Sequence, residues 1–118
     1  MRTNCSHVIL ENFFEPCVLF LLSEKSSYGY ELTKNLEGRC GCSVNVGNLY
    51  RGLRRLVGSK DIERKKVKSE LGPNRVMYEI TPKGKLLLKD WIVGLEEQNK
   101  AISKLIKNYK IKYDSGNR

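Results

Sequence analysis

Several features that mark other protein classes are scarce or absent in this chain. Its only histidine is His7, and it has neither a Ser/His arrangement nor paired carboxylates suited to catalysis, so we expect no enzyme and no cofactor. The longest apolar run, Cys17–Leu22, is far shorter than the roughly 20 residues of a membrane span. Glu11 and Glu15 interrupt any apolar stretch of a signal peptide. These absences predict a cytoplasmic protein with no membrane partner.

Cysteine is also sparse, and no secretion signal accompanies Cys5, Cys17, Cys40 and Cys42. Free thiols are therefore expected rather than a disulfide framework. Cys40 and Cys42 fall short of the four ligands of a structural zinc site, and the further candidates, Cys5 and His7, lie near the chain terminus. We expect plain turn and core cysteines and no metal; a redox or metal switch at Cys40 and Cys42 is the alternative.

What the sequence has in excess is positive charge, and the excess is concentrated. The net charge is +9, of which +7 falls in residues 45–85, with eleven basic and four acidic side chains. Residues 1–44 carry −1. A basic block inside a foldable segment indicates a surface that faces phosphates, although a solvated surface has the same composition.

Hydrophobic spacing predicts two helices in the first part of the chain. The first covers about residues 13–23 and is apolar on nearly every side, so we expect a second subunit to cover it. Ser26-Ser27 offers an N-cap for a second helix over residues 28–36, which Gly38 is expected to stop.

A third helix is predicted from the N-cap Asn45 through Val57. Leu49, Leu53 and Leu56 recur at the spacing of one buried face. The remaining faces carry polar and basic side chains: Asn48, Tyr50, Arg51, Arg54 and Arg55.

Two extended segments follow, residues 62–67 and 75–80, with a turn of Gly, Pro and Asn between them. They predict a β-hairpin that carries five basic side chains: Arg64, Lys65, Lys66, Lys68 and Arg75.

Thr81 and Pro82 are typical of a helix start, and the last helix is expected to reach about Tyr109 or Ile111. At 1.5 Å per residue this helix is too long for so small a domain to cover, so we expect a second copy of the chain to pack on it. The predicted dimer contacts are Phe13, Phe14, Leu88, Trp91, Leu95, Ile102, Leu105 and Ile106.

This order of elements predicts a mainly α fold with a small β-hairpin: a winged helix-turn-helix with a long C-terminal dimerisation helix. We expect the DNA-binding domain over residues 12–82 and the dimerisation helix over 83–112. Residues 1–11 and 113–118 are expected to be flexible. Because the B-DNA major groove is about as wide as a helix, the exposed face of the third helix could lie in it.

Three sequence strings resemble the PadR family of transcription regulators. They are SSYGYEL (26–32), GNLYRGLRRL (47–56) and NRVMYEITPKGK (74–85), and the resemblance covers roughly residues 14–90 in the family's order. It implies a winged-helix regulator, usually a repressor, that dimerises through its C-terminal helix. The single C-terminal helix is similar to that of the short members of the family.

The resemblance also implies roles for single residues. Gly47 would allow close approach to the DNA backbone, the Tyr50 hydroxyl would meet a phosphate, and Tyr28 would lie at a helix N-terminus that faces another phosphate. Arg54 or Arg55 matches the arginine that precedes the family's final leucine. An effector that is small and hydrophobic or aromatic is implied near Trp91, the alternative being that Trp91 packs against the partner's first helix.

The chain departs from the family pattern at three places. Asn48 replaces a threonine, Arg51 replaces a proline, and Lys60-Asp61 replaces Gly-Leu after the helix. Since Asn48 and Arg51 lie on the reading face, the operator of relatives cannot be transferred to this chain. An amide suits adenine, and a guanidinium suits guanine or a phosphate.

Double-stranded DNA and a second copy of the chain are thus the expected partners. The alternative is a winged helix that serves as a protein–protein adaptor or an RNA-binding module, which should lack either the basic hairpin or the basic reading face. The expected DNA contacts are Tyr28, Asn45, Gly47, Asn48, Tyr50, Arg51, Arg54, Arg55, Lys65, Lys66, Lys68 and Arg75.

Overall fold

The computed structural model describes residues 13–41, 45–73 and 75–115. The chain divides into two compact units, one ending at Leu88 and the other beginning at Lys89. The elements in chain order are α1 (Phe14–Glu24), β1 (Ser27–Tyr28), α2 (Gly29–Cys40), α3 (Val46–Gly58), β2 (Ile62–Val67), β3 (Arg75–Ile80) and α4 (Pro82–Tyr109), which Lys110–Ser115 continues as a π-helical turn. The predicted class, mainly helical with a small β element, is confirmed.

Helix α1 is covered by its own chain. Val18 and Leu19 are completely buried, and of the apolar side chains in this helix only Phe20 is exposed, by 44%. The expectation that a second subunit covers α1 is therefore wrong for the buried part of the helix, which packs against α2 and β3 of its own chain. Phe14 is buried as well: its ring lies where a Cβ on Gly52 of α3 would have to go.

The segment before α2 differs from the predicted N-cap. Ser27 is buried and forms the short strand β1 with Tyr28, so neither Ser26 nor Ser27 caps the helix. Tyr28 occupies the N-cap position, and its backbone N–H donates to Oε1 of Glu31 at 2.8 Å. The Glu31 side chain, three residues into the helix, thus satisfies the backbone N–H of the N-cap residue, as in a capping box.

Helix α2 also ends later than predicted. It passes through Gly38, which lies open to solvent, and continues to Cys40. Gly41 then adopts φ +63°, the left-handed conformation that glycine accepts without a Cβ clash. The glycine that ends the helix is therefore Gly41 and not the predicted Gly38.

Helix α3 forms as the sequence predicts. The side chain of Asn45 accepts a hydrogen bond from the backbone N–H of Asn48 at 3.2 Å, which satisfies one of the free donors of the first turn. Leu49, Leu53 and Leu56 are buried along one face.

Strands β2 and β3 have the predicted bounds and pair antiparallel from Ile62↔Ile80 to Val67↔Arg75. Strand β3 is central, because β1 pairs with its other edge through Ser27↔Tyr78 and Tyr28↔Met77. The hairpin is thus part of a three-stranded sheet, and this ties the start of α2 to the wing, the hairpin β2–β3.

The turn between α3 and β2 fixes the start of α4. Lys60 has φ 66°, and the buried Asp61 accepts a 2.6 Å hydrogen bond from the Ser59 hydroxyl. Thr81 donates from its hydroxyl to the Asp61 carbonyl at 2.9 Å and accepts from the N–H of Gly84 at 3.0 Å. Helix α3 therefore ends at Gly58 despite the unusual Lys60-Asp61.

The unit that begins at Lys89 contains the remainder of α4. Several of its large apolar side chains are exposed: Ile92, Val93, Ile102, Leu105, Ile106 and Tyr109. Among the described residues, no helix combines the length and apolar character that crossing a bilayer requires.

Candidate nucleic-acid interface

The face of α3 opposite its leucines is polar and open to solvent. All of the predicted contacts on this helix and at its cap are exposed: Asn45, Gly47, Asn48, Tyr50, Arg51, Arg54 and Arg55. The burial of Leu49, Leu53 and Leu56 leaves this face free, as the spacing predicts.

The N-terminal turn of α3 carries a small hydrogen-bonded group. Asn45 uses its side-chain oxygen for the cap, and a Cβ on Gly47 would lie 3.1 Å from that oxygen. Arg51 donates from Nη1 to Oδ1 of Asn48 at 2.7 Å. Asn45 therefore orders this end of the helix, while Asn48 and Arg51 present its outward surface.

The three arginines of α3 have different surroundings. Arg55 forms an ion pair with Glu15 of α1, Nη2 to Oε2 at 2.8 Å, and so it links α3 to α1. Arg51 stays with Asn48 on the outward face, and Arg54 lines a cleft beside the helix. Of the two candidates for the family's arginine, Arg54 has the freer guanidinium.

That cleft, of about 880 Å³, lies between α3, the start of α2 and the sheet. We call it the arginine cleft. Arg54 lines it from α3, and Arg64 and Arg75 line it from the wing. No ion pair holds any of these three arginines within the part of the chain that the structure describes. Its other lining residues are Tyr28, Gly29, Tyr30, Tyr50, Val57, Val76 and Tyr78.

Tyrosine rings form much of the cleft wall. The rings of Tyr28 and Tyr30 stack in parallel with centroids 5.8 Å apart, and the Arg75 guanidinium lies 5.4 Å from the Tyr28 ring. The Tyr50 ring and hydroxyl occupy the space that a Cβ on Gly29 would need, so glycine at the first position of α2 allows α3 to approach. The arrangement combines positive charge with the N-terminus of a helix, a combination that suits phosphate.

The wing carries two kinds of lysine. Lys65 forms an ion pair with Glu79 of β3, Nζ to Oε1 at 2.8 Å. The hydrogen bond from Lys65 lowers the pKa of Glu79 below its ordinary 4.5, and Glu79 in turn raises the pKa of Lys65. Lys66 and Lys68 are exposed, with no carboxylate paired to them in the described parts of the chain.

The sequence predicted most residues of this site, but it did not predict the strand pairing that brings the walls of the arginine cleft together. Tyr30 and Tyr78 were not expected in it, and Arg64 was expected only as one charge of the wing. The pairing Arg64↔Tyr78 and the strand β1 bring these residues together. Strict alternation in residues 75–80 could have placed Tyr78 on the core side, but nothing in the sequence marks the two-residue strand.

The predicted dimer residues differ in exposure. Phe14 is buried in its own chain, so it has little surface for a partner. Phe13, Leu88, Trp91 and Leu95 are half-buried. The remaining three, Ile102, Leu105 and Ile106, are exposed.

The alternative of a cysteine switch involves residues that are only partly described. Cys40 is half-buried at the end of α2, and Cys17 is buried in α1. Cys42, Cys5 and His7 lie outside the described residues. Among those described, no three His, Cys, Asp or Glu side chains are grouped as a metal would need.

Comparison with known proteins assigns the fold to a family. The model of the transcriptional regulator PadR-like family matches residues 18–90. A PadR-like transcriptional regulator from Bacillus cereus is 32% identical, with a TM-score of 0.72 over 83% of this chain and 95% of that one. A transcriptional regulator from Clostridium thermocellum is 28% identical, with a TM-score of 0.74 over 81% and 92%. No curated protein matches the chain.

A more distant structure has DNA bound. Bacillus subtilis PadR, in complex with operator DNA, is 24% identical, with a TM-score of 0.64 over 70% of this chain and 48% of that one, a likeness at the level of the fold. The family and these neighbours are transcription regulators rather than enzymes. With its winged helix-turn-helix and a family match over most of the chain, this protein belongs to the PadR-like family of transcriptional regulators.

Proposed function

We propose that this protein is a sequence-specific DNA-binding transcription regulator that acts as a homodimer and represses from an inverted-repeat operator. The observation that carries the proposal is the set of basic side chains that one unit exposes on α3, in the arginine cleft and on the wing. Asn48 and Arg51 lie at the outward N-terminal end of α3, where side chains reach base edges in proteins of this type.

The arginine cleft is the proposed binding site for the phosphates of the DNA backbone. Arg54, Arg64 and Arg75 converge there beside the N-terminus of α2. Backbone contacts of this kind fix the register of a protein on the duplex, whereas base contacts supply the sequence preference. Tyr50 packs on Gly29 at the cleft wall, and its hydroxyl is the group that we propose to contact a phosphate.

The homodimer is proposed from the second unit. Ile102 and Ile106 leave large apolar surfaces exposed on one helix, and water-exposed apolar patches of this kind favour association. A two-fold dimer would present two copies of α3, and half-sites about one helical turn, roughly 34–36 Å, apart would match them. Since its target is chromosomal DNA, the proposed location is the cytoplasm.

Selection of bound sequences from random duplex DNA tests the function. We expect an inverted repeat, bound in a gel shift with affinity that falls steeply as salt rises, because released counterions drive phosphate contacts. A matched double-stranded RNA and a single half-site serve as controls. Preference for RNA, or no binding to either nucleic acid, would favour the alternative of an RNA-binding module or a protein–protein adaptor.

A further inference from the structure

The hydrogen bond between Asn48 and Arg51 limits what each side chain can read. Arg51 Nη1 and Asn48 Oδ1 are 2.7 Å apart, and both residues are exposed. A guanidinium has donors and no acceptor, so the amide atom that faces it is the oxygen. This leaves the amide nitrogen of Asn48 and the other guanidinium nitrogens of Arg51 available as donors.

An asparagine that reads adenine needs both of its amide atoms, one to accept from N6 and one to donate to N7. In Asn48 the oxygen already accepts one hydrogen bond from Arg51, which places the guanidinium beside the accepting atom. Guanine offers two neighbouring acceptors in the major groove, O6 and N7, and no other base does. The remaining N–H donors of Arg51, beside the amide nitrogen of Asn48, are therefore complementary to guanine.

We propose that Asn48 and Arg51 act as one reading unit that selects guanine in each half-site, a proposal that rests on the DNA-binding function above. Arg51 contacts the base, and Asn48 positions the guanidinium. The pair thus replaces the adenine preference that the amide of Asn48 would have alone.

One further contact holds this unit at the N-terminal end of α3. The N–H of Asn48 donates to the Asn45 side chain at 3.2 Å, which fixes the turn that carries Asn48. The Arg51 guanidinium carries donors and no acceptor, so it needs an acceptor beside it. Asn48 supplies one in the free protein, and the guanine edge supplies two in the complex. Arg55, by contrast, is held away by Glu15.

The test compares base preferences selected from random duplex DNA by the native chain, Arg51→Ala, Asn48→Ala and the control Lys104→Ala on α4. We expect a guanine in each half-site for the native chain and for the control. Arg51→Ala frees the Asn48 amide, so the same position should change to adenine. Asn48→Ala should keep guanine with weaker affinity, because the base contact remains while the guanidinium is no longer positioned.

Replacing that guanine by 7-deazaguanine gives a second readout, because the change removes only the N7 acceptor. The native chain should lose affinity on the order of tenfold, and Arg51→Ala should lose almost none. A native preference for adenine that Asn48→Ala abolishes would overturn the reading unit while leaving DNA binding intact. A guanine that Arg51→Ala still selects would also overturn it. Absence of any DNA binding by the native chain would overturn the proposed function together with it.

Discussion

Two adjacent lysines on strand β2 illustrate how much depends on the face that a single side chain occupies. Lys65 is held by Glu79, whereas its neighbour Lys66 extends from the opposite face of the strand and is exposed. A lysine that is already paired with a carboxylate adds less to the affinity for phosphate than a free one, because its ion pair must break before it can contact the DNA.

We therefore predict that Lys66→Ala weakens binding to operator and random DNA alike. The slope of log affinity against log salt should become shallower by about one for each phosphate that the variant no longer neutralises. Gel shifts across a salt series measure both quantities. Lys65→Ala is the matched control, expected to change the slope less. A larger effect from Lys65→Ala than from Lys66→Ala would contradict the assigned faces.

The ion pair between Lys65 and Glu79 also predicts the proton affinity of the Glu79 carboxylate. Because Lys65 lowers the pKa of Glu79 below 4.5, the ionised carboxylate is favoured in the folded state. Its contribution to stability is present above the unfolded pKa and disappears as the pH falls through the lower folded pKa. An NMR titration should give Glu79 a pKa below 4.5 in the native chain and a higher one in Lys65→Met. Equal values in the two proteins would count against the ion pair in solution.

At the scale of whole elements, two glycines in helices have opposite surroundings. A Cβ on Gly84, in the first turn of α4, would overlap the carbonyl oxygen of Asp61 and lie 2.8 Å from Cγ1 of Ile80. A Cβ on Gly38, within α2, would meet nothing within 4 Å. The first glycine permits close packing of α4 on the turn before β2; the second only weakens its helix.

Gly84→Ala is accordingly expected to destabilise the fold by about 1–3 kcal/mol, the usual cost of forcing an extra carbon into a packed site. Gly38→Ala should stabilise it by about 0.5–1 kcal/mol, because alanine is the better helix former. Denaturant unfolding of both variants beside the native chain measures the two changes. If Gly38→Ala destabilised the protein, α2 would not continue through that residue to Cys40.

For the molecule as a whole, the central prediction is the proposed dimer. Ile102→Glu should dissociate it, because the substitution places a charge in an apolar seam. Light scattering at micromolar concentration measures the change, and circular dichroism checks that the helices persist. Lys104→Glu, two residues away and exposed, is the control for added negative charge. A stable native monomer would refute the dimer.

The small-molecule effector that the family resemblance implies near Trp91 also concerns the whole molecule. If a planar hydrophobic or aromatic molecule binds near Trp91, it should quench the fluorescence of this only tryptophan. The same concentration should release the operator in a gel shift, because an effector must bind the two states of the regulator with different affinities. Quenching without release would leave a pocket that has no part in regulation.

The parts of this protein that the sequence alone predicts are those in which residues recur at regular, short spacings along the chain. The leucine spacing of α3, its Asn45 cap and the two strand segments depend on residues a few positions apart, so periodicity and capping chemistry were enough to define them. The same information predicted that polar and basic side chains would cover the far side of α3. It misjudged α2, because Gly38 and Gly41 look alike as helix stops until the backbone reveals which one adopts a positive φ.

The tertiary structure alone decided which of the basic side chains remain available. Arg54 and Arg55 are adjacent, yet Arg55 pairs with Glu15, 40 positions earlier in the chain, while Arg54 lines a cleft with Arg64 and Arg75. The two-residue strand β1 and the burial of Phe14 against Gly52 likewise depend on distant partners. Composition and periodicity describe a segment by itself, whereas ion pairs, strand pairing and ring packing depend on which segments the fold brings together.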